Sequence, residues 1–170
     1  MPEAVHKGWA RWLLVSAGVV ILDRATKIGI TSTFAPGEAR DLLPFLKIVL
    51  VYNSGAAFSL LADASGWQRW FFTGVAVAIS IGIVWMLRHG RNDRLASLAL
   101  ALVLGGALGN LWDRLAVGRV VDFVVAHAGG HAFPAFNVAD SAITIGVALL
   151  ILDGLRARRS APQGKSLEDR

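Results

Sequence analysis

Residues Leu95 to Leu115 read LASLALALVLGGALGNLWDRL, and no ionisable side chain interrupts them before Asp113. An α-helix needs about 20 apolar residues to cross the hydrocarbon core of a bilayer. Three further runs approach that length, Trp9–Ile30, Trp70–Leu87 and Val138–Leu155. Composition agrees: 55% of residues are hydrophobic and 17% charged, whereas soluble domains carry about 25% charge. The expected fold is an all-α membrane protein, a four-transmembrane-helix bundle formed by one domain over residues 1–170. Within the run, Gly105-x-x-x-Gly109 reads as a small-residue stripe for close helix packing.

Charge sets the orientation. Ten lysines and arginines fall at the N-terminus, in the Arg88–Arg94 loop and after Leu155, against four (Arg40, Lys47, Arg69, Arg119) in the other two connections. The positive-inside rule then places both termini in the cytoplasm. The net charge of +5 thus reports orientation rather than nucleic-acid binding. The absence of cysteine excludes disulfides, a thiol nucleophile and thiolate metal sites. The first run reads as an uncleaved anchor, because Asp23-Arg24 interrupts it and no small-x-small cleavage site follows. The tail 156–170, with Pro162 and Gly164, reads as disordered. Its arginines serve mainly to fix orientation.

The two outer connections contain strand-like stretches, Phe45–Tyr52 and Arg119–Ala126, rich in β-branched and aromatic residues. They predict a small extracytoplasmic β platform, with Trp67 and Trp70 in the aromatic belt below it.

This topology gathers the polar residues of the spans at one depth. Asp23, Thr26 and Lys27 lie in the last turns of the outward-running first span. Asn110, Asp113 and Arg114 end the outward-running third. Asn137 and Asp140 open the inward-running fourth, and Asp122 sits in the outer connection between the last two. An ionisable group at a bilayer boundary is costly without partners and marks function by default. Asn137 is placed to cap the fourth span, and Asp140 lies in its first turn, where the helix dipole favours negative charge. Asp122, on an apolar stretch, is pushed towards the protonated form. Two carboxyls in opposed environments can share a proton and activate water.

Each residue also has a structural reading. Asp23 and Lys27, four apart, make an ion pair. Asp113 and Arg114 suit salt bridges to neighbouring elements, and Asn53 and Asn110 suit turns or caps. His127 and His131 have the spacing of a helical metal pair, but Gly129-Gly130 between them breaks a helix. No metal or cofactor is therefore expected.

Five segments carry a resemblance in order: Asp23–Lys27, Val51–Ser59, Gly109–Arg114, Val121–Phe123 and Phe136–Ser141. Together they resemble the lipoprotein signal peptidases, or signal peptidase II, over nearly the whole chain between Trp9 and Leu155. The resemblance implies an intramembrane aspartic endopeptidase of the bacterial inner membrane, monomeric, with its site near the outer leaflet. It implies diacylglyceryl-modified prolipoproteins as substrates, cut just before the lipidated cysteine, and inhibition by globomycin. It maps the catalytic dyad onto Asp122 and Asp140. It maps the residues that shape the site or hold substrate onto Asp23, Lys27, Asn53, Gly55, Asn110, Arg114 and Asn137. Small Gly55-Ala56-Ala57 would then let a substrate backbone approach.

Two other classes compete, a small transport or proton-conducting subunit and a non-catalytic lipoprotein-binding factor. A relay needs acids spread through the membrane depth, whereas here the middle of every span is apolar. A metalloprotease would need a His-Glu-x-x-His helix, which the sequence lacks.

Overall fold

The computed structural model describes residues 8–55, 66–90 and 93–160, the side chains of 158–160 excepted. The motif residues Ala56–Ser59, the cations Lys7 and Arg91, and tail residues 161–170 lie outside the described residues. Four helices form: α1 (Arg11–Thr33), α2 (Trp67–His89), α3 (Arg94–Ala116) and α4 (Val138–Ser160). Four strands, β1 (Ala39–Leu43), β2 (Leu46–Asn53), β3 (Val120–Ala128) and β4 (His131–Ala132), make one antiparallel sheet in that order.

The helices outrun the apolar stretches that announced them. Gly66, in the left-handed region at φ 82°, starts α2 at Trp67 rather than Trp70. Thr31 and Thr33 extend α1 by returning their hydroxyls to the Lys27 and Gly29 carbonyls. α4 continues to Ser160, so the segment expected to be disordered from Arg156 begins as helix. Arg and Ala are strong helix formers, and apolarity alone does not mark where a helix stops.

Among the described residues, three helices are long and apolar enough to cross a membrane: Trp67–His89, Arg94–Ala116 and α4 over Val138–Ala157. The expected count was four. α1 falls short by composition, because Asp23, Arg24 and Lys27 interrupt it. Large apolar side chains such as Leu14, Ile21, Ile81, Trp85 and Ile151 face outward, the surface expected of helices solvated by lipid.

α3 is the axis and touches the other three helices. Its glycines set the spacing. A Cβ on Gly105 would lie 2.8 Å from the Ser16 carbonyl of α1, and one on Gly106 would strike the Ala139 carbonyl of α4. The small-residue stripe therefore seats two helices on adjacent faces. Gly106→Ala should lower stability by about 1–3 kcal/mol through overpacking. Gly74→Ala, where nothing lies within 4 Å, should not. Thermal unfolding in detergent compares the two; equal stability would refute the tight seat.

Both sequence-read strands form, and the platform adds β1 and the short β4 at its edges. β2 and β3 carry the site: their register sets Val51 opposite Asp122 and Tyr52 opposite Val121, with an irregularity between Ile48 and Val51. The β3–β4 hairpin holds His127 and His131, and Gly129 and Gly130 turn it at positive φ. The two histidines thus share no helical face.

Candidate active site

The site begins with a buried charge cluster. Lys27 of α1 is 1% exposed, and its ammonium meets three acceptors: Asp23 Oδ2 at 2.8 Å, Asp113 Oδ2 at 2.8 Å and Asn110 Oδ1 at 3.1 Å. Two of these contacts are ion pairs and the third is a hydrogen bond, so the buried ammonium is compensated on every side. Arg24 completes the set with a 2.6 Å bond to Asp113 Oδ1. Two cations balance two carboxylates. Such a group is stable in a low dielectric only when every member is paired.

The remaining acceptors of this cluster place the backbone on either side. Asp113 Oδ2 accepts from the amide of Val121 at 3.1 Å, the residue before Asp122. Asp23 Oδ1 accepts from the amide of Ala139 at 3.0 Å, the residue before Asp140. Gly109 permits the second contact, since a Cβ there would lie 2.8 Å from Asp23 Oδ2. Each aspartate of the sequence-read pair is thus held at its N-terminal neighbour by a buried carboxylate.

Asp122 and Asp140 converge through two asparagines. Asn137 Nδ2 donates to Asp122 Oδ1 at 2.7 Å and to Asn110 Oδ1 at 3.2 Å. Asn110 Nδ2 donates to Asp140 Oδ1 at 2.8 Å. Asn137 also caps α4: its Oδ1 accepts from the Asp140 amide at 2.9 Å while Asp140 Oδ2 accepts from the Asn137 amide at 3.2 Å. That reciprocal pair satisfies two amides at the helix start, as in a capping box. Asp140 therefore meets two donors at the positive end of a helix.

Asp122 is 2% exposed on the apolar strand β3. Its carboxyl is pushed up to about 6, first by burial and then by the negative charge of Asp140. Donation from Asn53 and Asn137 and the charge of Lys27 act in the opposite direction. Asn53 Nδ2 donates to Asp122 Oδ2 at 2.9 Å, and its Oδ1 accepts from the Gly55 amide at 2.8 Å. Both aspartates line one cleft of about 490 Å³, walled by Val51–Ser54 and Phe133–Phe136. An apolar groove along Ser141, Thr144 and Ile145 of α4 continues from Phe133, Phe136 and Asp140.

The sequence-read residues thus divide. Asn53 lines the cleft beside the two aspartates. Asp23, Lys27, Asn110 and Asn137, which the resemblance gave as residues that shape the site or hold substrate, are buried behind the two aspartates. Arg114 donates to the Asn110 carbonyl at 3.3 Å and lies 5.4 Å over the Phe72 ring. A Cβ on Gly55, at φ 98°, would come 2.7 Å from that same ring, so this glycine serves close packing on Phe72. Arg24 was absent from the sequence-read site, whereas Asp113, read as suited to salt bridges with a neighbouring element, makes them to Arg24 and Lys27 of α1. The signal for Asp113 was its i+3 spacing from Asn110, which puts both on one face of α3.

The family follows from comparison with known proteins. A family model described as signal peptidase (SPase) II matches residues 15–156. The chain belongs to the signal peptidase II family. A lipoprotein signal peptidase of Ralstonia nicotianae is 54% identical over 89% of this chain and 88% of its own. One of Burkholderia multivorans is 54% identical over 89% of this chain and 92% of its own. Among solved structures, a bacterial membrane enzyme obtained by the in meso method at 2.3 Å superposes with a TM-score of 0.80 at 32% identity, covering 97% of this chain and 99% of that one. A second such structure, at 1.9 Å, gives 0.76 at 33% identity, covering 91% and 98%. Membership of signal peptidase II makes this chain a peptidase of a bacterial membrane.

Proposed function

We propose that this protein removes signal peptides from diacylglyceryl-modified prolipoproteins, as an aspartic endopeptidase cutting just before the lipidated cysteine. The observation that carries the reading is the pairing of Asp122 and Asp140 across one cleft in opposed surroundings. Asp122 holds the shared proton and Asp140 the negative charge. Asp140 takes a proton from water as its oxygen attacks the scissile carbonyl, and Asp122 gives its proton to the carbonyl oxygen. In the resulting diol the C–N bond then breaks. Asp140 passes its proton to the departing amine, and Asp122 recovers one from a diol hydroxyl. The dyad returns to its starting state without a cofactor.

In this reading α1 also crosses the membrane, because Asp23 and Lys27 are buried in the cluster with α3 and the part-exposed Arg24 is paired with Asp113. The chain then acts as one unit with four spans in the inner membrane, both termini cytoplasmic and the cleft at the outer leaflet. The groove along α4 suits acyl chains, and the site suits globomycin. Transport is not favoured: among the described residues, the acids gather at the two ends of the bundle rather than through its depth.

The test is cleavage of a diacylglyceryl prolipoprotein peptide by purified protein in detergent, with chelator and globomycin as controls. Cleavage before the lipidated cysteine, blocked by globomycin and indifferent to chelator, is expected. No cleavage by well-folded protein would refute the reading.

A pH dependence follows. Because Asp122 must be protonated, kcat/KM should fall as pH rises through about 6. Asn53 donation favours the charged form, so Asn53→Ala should move that alkaline limb upward by about one pH unit or less. An unmoved limb would take the controlling proton away from Asp122.

A further inference from the structure

The end of β2 separates the aspartate cleft from a second one of about 460 Å³, whose walls include Tyr52, Ser54, Arg69, Trp70, Val117 and Arg119. Tyr52 and Ser54 line both clefts. The peptidase chemistry makes no use of the second. It carries two guanidinium groups, and no acidic side chain is among its described lining residues.

Arg69 is fixed in place. Its Nη2 donates to the Leu115 carbonyl at the end of α3 at 2.9 Å, and its guanidinium lies 5.0 Å over the Trp70 ring. Gly118, at φ 80°, leaves it room, since a Cβ there would lie 3.3 Å from Nη1. Its Nε is buried and has no partner among the described residues. A buried donor left unpaired costs free energy unless a ligand meets it. A guanidinium presents five donors in a fork that matches phosphate geometry. Arg119, exposed to solvent, adds a second cation on the same cleft.

The flanks are apolar and open. Trp70, Phe71, Leu115 and Val117 are all more than half exposed where α2 begins and α3 ends. A basic pocket above an exposed aromatic and aliphatic flank has the chemistry of a phospholipid: phosphate on the arginines, acyl chains on the helices.

We infer that Arg69 and Arg119 bind the phosphate headgroup of an anionic phospholipid whose acyl chains lie along Trp70 and Val117. The inference rests on the membrane placement of this end of the bundle, not on the peptidase reaction.

Native mass spectrometry of the purified full chain in detergent, titrated with dioleoyl phosphatidylglycerol, tests it. Dioleoylglycerol, with the same chains and no phosphate, and inorganic phosphate form separate arms. Wild type should bind the phospholipid more tightly than dioleoylglycerol, and inorganic phosphate should not displace it. Arg119→Gln should weaken binding about fivefold, and Arg69→Gln with Arg119→Gln about 25-fold. Arg88→Gln, at the other end of α2, should change nothing. Among the described residues no bond joins Arg119 to α3, so its variant carries the test if loss of the Arg69–Leu115 bond prevents folding. Wild-type affinity in Arg119→Gln, or equal affinity for dioleoylglycerol, overturns the site. Full displacement by inorganic phosphate overturns the lipid and leaves a free-anion site.

Discussion

Asp122→Asn and Asp140→Asn should each reduce cleavage of a diacylglyceryl prolipoprotein peptide by at least about a thousandfold. In the proposed mechanism each carboxyl transfers a proton twice per turnover, and one positioned acid or base contributes roughly 10²- to 10⁴-fold. An amide can do neither job. Members of a catalytic unit are not additive, so the double variant should be little worse than either single one. Folding should survive. With Asp140→Asn, the new side chain keeps an oxygen that can accept from the Asn137 amide. With Asp122→Asn, an amide as uncharged as the protonated acid takes a position that is only 2% exposed. Asp140→Glu separates charge from position: it keeps the carboxylate but moves it off the Asn110 and Asn137 donors that hold it now. Activity should remain low. Wild-type turnover by either asparagine variant, in protein that still elutes as folded, would remove the dyad from the mechanism.

Much of this site was legible because the membrane restricts where charge can lie. Asp122 and Asp140 stood out in sequence as acids at the ends of apolar runs, and cation counts put them at one depth. β-branched residues marked β2 and β3, and Asn137 three residues before Asp140 marked the cap, which forms as expected. Less legible was the role of the other charges. Arg24 pairs with Asp113 from 89 residues away, and no periodicity reports a partner at that separation. Lys27 read as the ion-pair partner of Asp23, and the resemblance alone put it among residues that shape the site or hold substrate. Asp23, four residues away, was visible, but the Asp113 and Asn110 contacts of Lys27 were not. Edge strands β1 and β4 escaped because β1 is wholly exposed and β4 spans two residues. Neither shows the alternation that marks a half-buried strand.

The hidden cluster makes the second large prediction. Lys27→Met should destabilise the fold by about 3–5 kcal/mol, because it leaves Asp23 and Asp113 buried with their main counter-charge gone. Both carboxylates are 0% exposed, so water cannot replace the ammonium. Arg24 still faces Asp113, at 2.6 Å, which makes Asp23 the worse stranded of the two. Adding Asp23→Asn to Lys27→Met should therefore recover more stability than adding Asp113→Asn. Double-mutant cycles on thermal unfolding in detergent measure that coupling. Activity should follow a different rule. Asp23 and Asp113 hold the amides of Ala139 and Val121, one residue before Asp140 and Asp122, and asparagine still offers one oxygen to those amides. The rescued Lys27→Met, Asp23→Asn protein should regain part of its cleavage along with its fold. A stable double variant with no cleavage would show that the Lys27 charge acts on the reaction itself. Its attraction for ionised Asp122 is the route by which it could do so.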